Sequence, residues 1–133
     1  MAKPQITALI GVYNTDRGLH GELAYLSGRL RKTLHCALCD ITHSPIRRKK
    51  DWDRFVADLP VPFTLLHKNE LDDLPDKVIH LALKSPPCVI ALTDDKPLVV
   101  MTTTDLAKAD SDVTIFDGML RNQIVARGLE LPA

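Results

Sequence analysis

Hydrophobic and polar positions divide the first third of the chain into a strand followed by a helix. Residues 6–13, ITALIGVY, are mostly apolar and rich in β-forming side chains, a pattern typical of a central strand buried on both faces. The polar turn NTDRG follows at 14–18. Leucines then recur at helical spacing, which predicts an amphipathic helix with one apolar face formed by Leu19, Leu23, Leu26, Leu30 and Leu34.

The middle of the chain predicts a helix and then a strand. Ser44 followed by Pro45 is a helix start signal, with serine as the N-cap and proline at the first helical position. An apolar stripe on this helix consists of Trp52, Phe55, Val56 and Leu59. Pro60 and Pro62 end the helix, and residues 62–68, PFTLLHK, favour a strand.

A short helix and a hairpin come next. The helix is predicted to begin near Pro75, with Val78, Leu81 and Ala82 facing inward. Two short apolar runs, 88–92 and 98–101, flank the turn TDDKP. This composition and spacing predict a β-hairpin.

A last helix closes the pattern. Ser111 is its predicted N-cap and Gly128 its end, and its inward positions are Val113, Phe116, Leu120 and Ile124. The sequence contains no internal repeat and no interdomain linker. Residues 1–133 are therefore predicted to form a single α/β domain.

Composition and charge narrow the function classes. The 17 basic and 17 acidic side chains cancel, so no global field would attract nucleic acid or a membrane surface. The basic run RRKK at 47–50 is followed by Asp51 and Asp53, which is typical of a solvated face. No apolar stretch is long enough to span a membrane, and the first residues lack the pattern of a secretory signal. A cytoplasmic location is expected, where thiols stay reduced.

The segment HCALCDITH, residues 35–43, carries the candidate chemistry. Cys36 and Cys39 are separated by two residues, a spacing that lets one thiol form a mixed disulfide and the other resolve it. A CxxC pair in a cytoplasmic α/β chain favours thiol–disulfide redox chemistry. By its polar surroundings this segment is predicted to be a loop.

The order of elements, with proline directly before the hairpin, resembles the thioredoxin fold across nearly the whole chain. The resemblance implies a central mixed sheet of about four strands with helices on both faces, here with one extra helix after the CxxC loop. It also implies Cys36 as nucleophile, Cys39 as resolving thiol, and a cis proline, Pro87 or Pro86, packed against the pair. The partner would be a protein or small-molecule thiol or disulfide, with no cofactor.

One departure from the thioredoxin pattern concerns the position of the cysteines. In thioredoxins the CxxC opens the first helix, whereas here CALC follows the leucine-rich helix and YNTDRG takes the usual slot. The motifs VYNTDRG, CALCDITHSP and DWDRF also resemble a group of small bacterial proteins that have a Tyr-Asn turn and a Cys-x-Leu-Cys segment. That second resemblance implies no particular reaction.

Two other interpretations of the cysteines stay open. Cys36, Cys39 and His43 form C-x2-C-x3-H, which offers three of the four ligands of a tetrahedral zinc site. A metal held there would make the chain a binding module without turnover. Alternatively the cysteines are small buried hydrophobic residues, which is the favoured interpretation for Cys88 at the start of an apolar strand. The isolated histidines, His67 among them, are expected at element edges, satisfied by solvent or backbone.

Overall fold

The computed structural model describes residues 4–13, 38, 41, 50–67, 70–84, 86–109 and 112–132. Within these residues the strands are β1 (Ile6–Val12), β2 (Phe63–Leu66), β3 (Cys88–Thr93) and β4 (Leu98–Met101). The helices are α1 (Lys50–Asp58), α2 (Asp76–Lys84), α3 (Thr103–Lys108) and α4 (Val113–Ala126). None of the helices in this described part has the length and hydropathy that a membrane span requires.

The strands form one open mixed sheet in the order β2-β1-β3-β4. β1 pairs in parallel with β2 and antiparallel with β3, and β4 adds antiparallel to β3. β1 is therefore hydrogen-bonded along both of its edges. Its residues Leu9, Ile10 and Val12 are at most 4% exposed, which confirms the prediction of a central strand buried on both faces.

Helices cover both faces of the sheet. On the α1 face, α1 and α4 pack over Leu9, Val89 and Ala91 of the sheet. An aromatic cluster fills this layer, with ring centroids 5.0 to 6.3 Å apart in tilted and edge-to-face pairs, the range in which such rings attract; its members are Trp52, Phe55, Phe63 and Phe116.

A smaller apolar layer lies on the opposite face, which we call the α2 face. Val78 and Ala82 of α2 pack there against the sheet residues Ile10, Val12, Cys88 and Ile90. Successive side chains of a strand point to opposite faces of the sheet, so alternate residues of β1 belong to the two different apolar layers. An α/β architecture with a four-stranded mixed sheet is confirmed.

Most of the predicted elements within the described residues are present. These are the central strand, the helix carrying Trp52, the strand after Pro62, the helix after Pro75, the hairpin and the last helix. The inward positions of the last helix are all buried, and Gly128 follows it with a φ of 71°, a conformation that favours glycine. The predicted helix over the five leucines and the start at Ser44 lie outside the described residues.

Two predictions need correction, and one helix was not predicted. The CALC segment is predicted to be a loop, yet Leu38 and Ile41 have helical backbone and are 0% exposed.

Helix α3 was not predicted; Thr102 and Asp105 form a capping box at its start. The N-cap of α4 is Asp112 rather than Ser111, because the Asp112 carboxylate accepts hydrogen bonds from the backbone N–H groups of Thr114 and Ile115.

The cap assignment of α4 can be tested by thermal or urea unfolding. Asp112→Ala should lower the free energy of unfolding by about 1 kcal/mol, since two N–H groups of the first turn lose their acceptor. Ser111→Ala is the matched control and should change it by less than about 0.5 kcal/mol. A larger loss for Ser111→Ala than for Asp112→Ala would show that the cap is assigned to the wrong residue.

Candidate functional site

The candidate site lies at one edge of the sheet, which we call the carboxyl edge because β1 and β2 both end there. The strand register defines it. Val12, the last residue of β1, pairs with Leu66 at the end of β2 and with Cys88 at the start of β3. Met101, the last residue of β4, pairs with Val89. In open α/β sheets, ligands bind outside the carboxyl ends of the parallel strands.

Four segments therefore meet at the carboxyl edge. Tyr13 continues β1 and donates its backbone N–H to the Leu66 carbonyl at 2.8 Å. His67 continues β2, Pro87 precedes β3, and Thr102 follows β4. Side chains capable of proton transfer and hydrogen bonding are thus brought together from separate parts of the sequence.

Pro87 is a buried residue at this edge, and its peptide bond with Pro86 is cis. This is the conformation that the thioredoxin resemblance implies for this proline. The Thr103 hydroxyl donates a hydrogen bond to the Pro87 carbonyl oxygen at 2.9 Å. Thr103 begins α3, so the capping box of that helix also positions the side chain that contacts Pro87.

Leu38 packs against the end of β1. A Cβ atom placed on Gly11 would lie 2.9 Å from Leu65 Cδ2, closer than real Cβ atoms come, and 3.1 Å from Leu38 Cδ2, which is tighter than most real Cβ contacts. The bare backbone of Gly11 therefore provides the space that the Leu38 side chain fills. Gly11 lies two residues before Tyr13, so Leu38 packs beside the carboxyl edge on the α1 face. Leu38 stands between Cys36 and Cys39 in the sequence; both cysteines and His43 lie outside the described residues.

Tyr13, His67 and Glu70 form a cluster at the ends of β1 and β2. Glu70 Oε1 lies 2.6 Å from His67 Nδ1 and also accepts the His67 backbone N–H at 2.8 Å. The Tyr13 and His67 rings are 4.9 Å apart with a tilt of 56°. Tyr13 is buried, whereas the His67 side chain is 22% exposed and reachable from solvent.

The cluster around His67 was not predicted from the sequence. That histidine was expected to be satisfied by solvent or backbone, but the carboxylate of Glu70, three residues further along, binds it instead. The H-x-x-E spacing immediately after a predicted strand was the available signal. The ring contact with Tyr13 could not be read from the sequence, because it depends on the parallel pairing of β1 with β2.

Cys88 belongs to a different environment from the carboxyl-edge cluster. Its side chain packs on the α2 face and is 2% exposed. Loss of hydration on burial raises the pKa of the Cys88 thiol to about 11. The interpretation of Cys88 as a small buried hydrophobic residue is confirmed. Among the described residues, no group of three His, Cys, Asp or Glu side chains is arranged to hold a metal ion.

The chain matches no protein-family model, and comparisons with curated proteins and with solved structures found no similar protein. Function must therefore be inferred from the carboxyl edge itself.

The burial of Leu38 predicts a large stability effect within the CALC segment. Leu38→Ala should lower the free energy of unfolding by about 2–5 kcal/mol, because it leaves a cavity against Gly11 and Leu65. Leu83→Ala, at a leucine that is 51% exposed on α2, is the matched control and should cost less than about 0.5 kcal/mol. Equal effects in the two variants, measured by urea unfolding, would contradict the packing of Leu38 in the core.

The burial of Cys88 predicts slow alkylation in the native protein. At about pH 8 a thiol with a pKa near 11 has about two orders of magnitude less thiolate than an ordinary cysteine, and thiolate is the reactive form. Iodoacetamide labelling followed by mass spectrometry should therefore modify Cys88 at least about 100-fold faster in denaturant than in buffer. Comparable rates under both conditions would mean that the thiol is accessible in the folded protein.

Proposed function

We propose that this protein is a thioredoxin-like thiol–disulfide oxidoreductase or redox-responsive protein, with Cys36 and Cys39 as its working pair at the carboxyl edge. Cys36 is the nucleophile and Cys39 the resolving thiol, and Pro87 forms part of the surface beside them. The partner is a protein or small molecule that carries a thiol or a disulfide. The reaction needs no cofactor, because both electrons come from the cysteine pair.

The architecture supports this proposal. The sheet mixes parallel and antiparallel strands, helices cover both of its faces, and a proline directly precedes the first strand of the hairpin. These are the features on which the thioredoxin resemblance depends. The cis bond between Pro86 and Pro87 agrees with them.

The packing of Leu38 is the observation that carries the proposal. In a thioredoxin-like protein the cysteines would have to lie near the edge where Pro87 lies. In this sequence, however, CALC follows the first helix. Gly11, which Leu38 covers, pairs with Val89, two residues after Pro87. With about 4.8 Å between strands and about 3.3 Å per residue, the Cα atoms of Gly11 and Pro87 are about 8 Å apart.

A span of about 8 Å is short compared with the reach of the chain. Consecutive Cα atoms are about 3.8 Å apart, so a residue one or two positions from Leu38 can come close to Pro87. The unusual position of CALC in the sequence is therefore compatible with redox chemistry at the carboxyl edge. Leu38 would serve as the anchor that holds the segment against β1.

The proposed reaction balances without any further reagent. The Cys36 thiolate attacks one sulfur of the partner's disulfide, whose S–S bond breaks and leaves a thiolate on the other sulfur. Cys39 then attacks Cys36 in the mixed disulfide and releases the partner's second thiol. The protein loses two electrons and two protons, and the partner's disulfide gains them.

Redox titration of the anaerobically purified protein against a dithiothreitol series tests the proposal. Alkylation and mass spectrometry should give a two-electron transition confined to Cys36 and Cys39, with a single midpoint. Cys36→Ser and Cys39→Ser should each abolish that transition. Cys88→Ala is the matched control and should leave the midpoint unchanged, because the Cys88 thiol is buried on the α2 face.

Two outcomes would contradict the redox proposal. If Cys36 and Cys39 resist alkylation until a chelator is added, the pair holds a metal such as zinc, with His43 as a candidate third ligand, and the chain is a binding module. If all the cysteines react with the alkylating reagent independently and show no redox midpoint, Cys36 and Cys39 do not form a redox couple.

A further inference from the structure

We propose that the groove between helix α1 and strand β2 binds an extended peptide segment of a partner protein, which adds to the sheet as a further strand. The segment carries an apolar side chain with a lysine or arginine two residues away. Binding there involves no thiol and is independent of the redox function proposed above. Three features support it: an open strand edge, a cavity beside that edge and a carboxylate on the cavity wall.

β2 is an edge strand with hydrogen-bonding groups that point away from the sheet. It is the outermost strand in the order β2-β1-β3-β4 and, among the described residues, pairs with β1 alone. The Pro62 carbonyl accepts the N–H of Leu9 at 2.9 Å, so it points towards β1. The backbone groups of successive strand residues point to alternate sides, so the N–H and C=O groups of Phe63 and Leu65 point outward.

The open stretch of this edge is short and has a defined end. The next outward N–H group, that of His67, donates to Glu70 Oε1 at 2.8 Å. Phe63 and Leu65 are therefore the residues of β2 that offer their backbone groups to a further strand. Edge groups of this kind bind an extended peptide in β-augmentation, where main-chain hydrogen bonds hold the added strand.

A cavity lies on the α1 face beside the open edge. It has a volume of about 200 Å³ and opens to solvent between α1 and β2; its lining residues are Trp52, Asp53, Val56, Phe63 and Leu65. Phe63 and Leu65 thus contribute backbone groups to the edge and side chains to the cavity. Directly opposite residues of paired strands have their side chains on the same face. A partner residue paired with Phe63 or Leu65 therefore directs its side chain towards the cavity.

The cavity lining indicates the composition of the partner segment. Trp52 and Val56 of α1, together with the two side chains of β2, provide apolar walls for one apolar side chain. Asp53 is exposed and adds a carboxylate to the same lining. Side chains two residues apart on a strand share a face, so a lysine or arginine two residues from the apolar side chain is on the side of Asp53. Its positive charge complements the carboxylate.

The size of the groove favours a short segment over a second copy of this chain. Stable dimers bury about 1,200–2,000 Å² of surface, with about 20–30 residues on each side. The groove offers the four residues of β2, Phe63–Leu66, and three lining residues from α1. A contact of that size suits a peptide held by main-chain hydrogen bonds and one seated side chain.

Amide hydrogen exchange in the unmodified full chain tests whether the edge is open. The amides of Phe63 and Leu65 should exchange at least about tenfold faster than those of Thr64 and Leu66, which point towards β1. Slow exchange at all four amides in dilute protein would show that the edge is already covered and would overturn the proposal. Protection that rises with protein concentration would identify a second copy as the occupant and would overturn it too.

The binding test uses the synthetic peptide acetyl-Thr-Lys-Thr-Leu-Thr-Lys-Thr-amide. A lysine lies two residues from the leucine on each side, so the peptide fits in either strand direction. Titration followed by NMR should shift the amide signals of Val56, Phe63 and Leu65, and the peptide should slow exchange at the last two. The same peptide with alanine in place of leucine should bind about tenfold or more weakly, because it buries less apolar surface. Absence of these shifts at millimolar peptide, or equal binding of the two peptides, would overturn the proposal.

Two variants of α1 test the cavity, each with a matched control on the same helix. Val56→Phe fills the cavity and should weaken binding about tenfold or more, whereas Ala57→Phe, at an exposed position outside the lining, should leave it unchanged. Asp53→Asn should weaken binding about threefold and reduce its dependence on salt, and Asp58→Asn should do neither. Unchanged binding in Val56→Phe or in Asp53→Asn would contradict the proposal. If Val56→Phe unfolds, Asp53→Asn and the alanine peptide decide the outcome.

Discussion

β1 is buried on both faces and paired along both edges, and the other elements are placed around it. Each residue of the strand must fit a neighbouring strand and one helical layer at the same time. Gly11 is the position where that fit leaves room for a side chain from elsewhere in the sequence, and Leu38 fills it. Because Gly11 has no Cβ atom, Leu38, which lies between the two cysteines in the sequence, can pack against the central strand.

The same strand brings the carboxyl edge together. Because β1 pairs with β2 on one side and with β3 on the other, Tyr13, His67 and Pro87 all lie at the carboxyl edge. Helix α3 completes the edge, since its first residue, Thr103, binds the Pro87 carbonyl. The proposed thiol–disulfide exchange would take place at this end of the sheet, where the strand ends converge.

Much of this architecture was predictable from local patterns. The run ITALIGVY and the hairpin around TDDKP carry their own spacing signals, and so does the last helix with its buried stripe. Helix α3 was missed because its six residues are too few to show periodicity and its signal is a capping box. The cap of α4 was assigned one residue too early, because Ser111 and Asp112 are both good capping residues.

The candidate site was less predictable, because its contacts join residues far apart in sequence. CALC looked like a loop since polar residues flank it, and nothing local indicated that Leu38 would be buried against Gly11. The ring contact of His67 with Tyr13 was not predictable, because Tyr13 comes from another strand. Strand pairing brings Tyr13 beside His67, and packing on the sheet face buries Leu38 against Gly11. Neither contact leaves a signal in local spacing.

The proposal that a redox-active CALC pair works at the carboxyl edge can be tested by NMR. Amide chemical shifts of the protein, recorded by NMR in the reduced and the oxidised states, test it most directly. Oxidation should shift the amide signals of Tyr13, His67, Cys88 and Thr103, while those of the turn at 94–97, at the opposite edge of the sheet, stay unchanged. No shift at the carboxyl edge, or shifts confined to that turn, would contradict it.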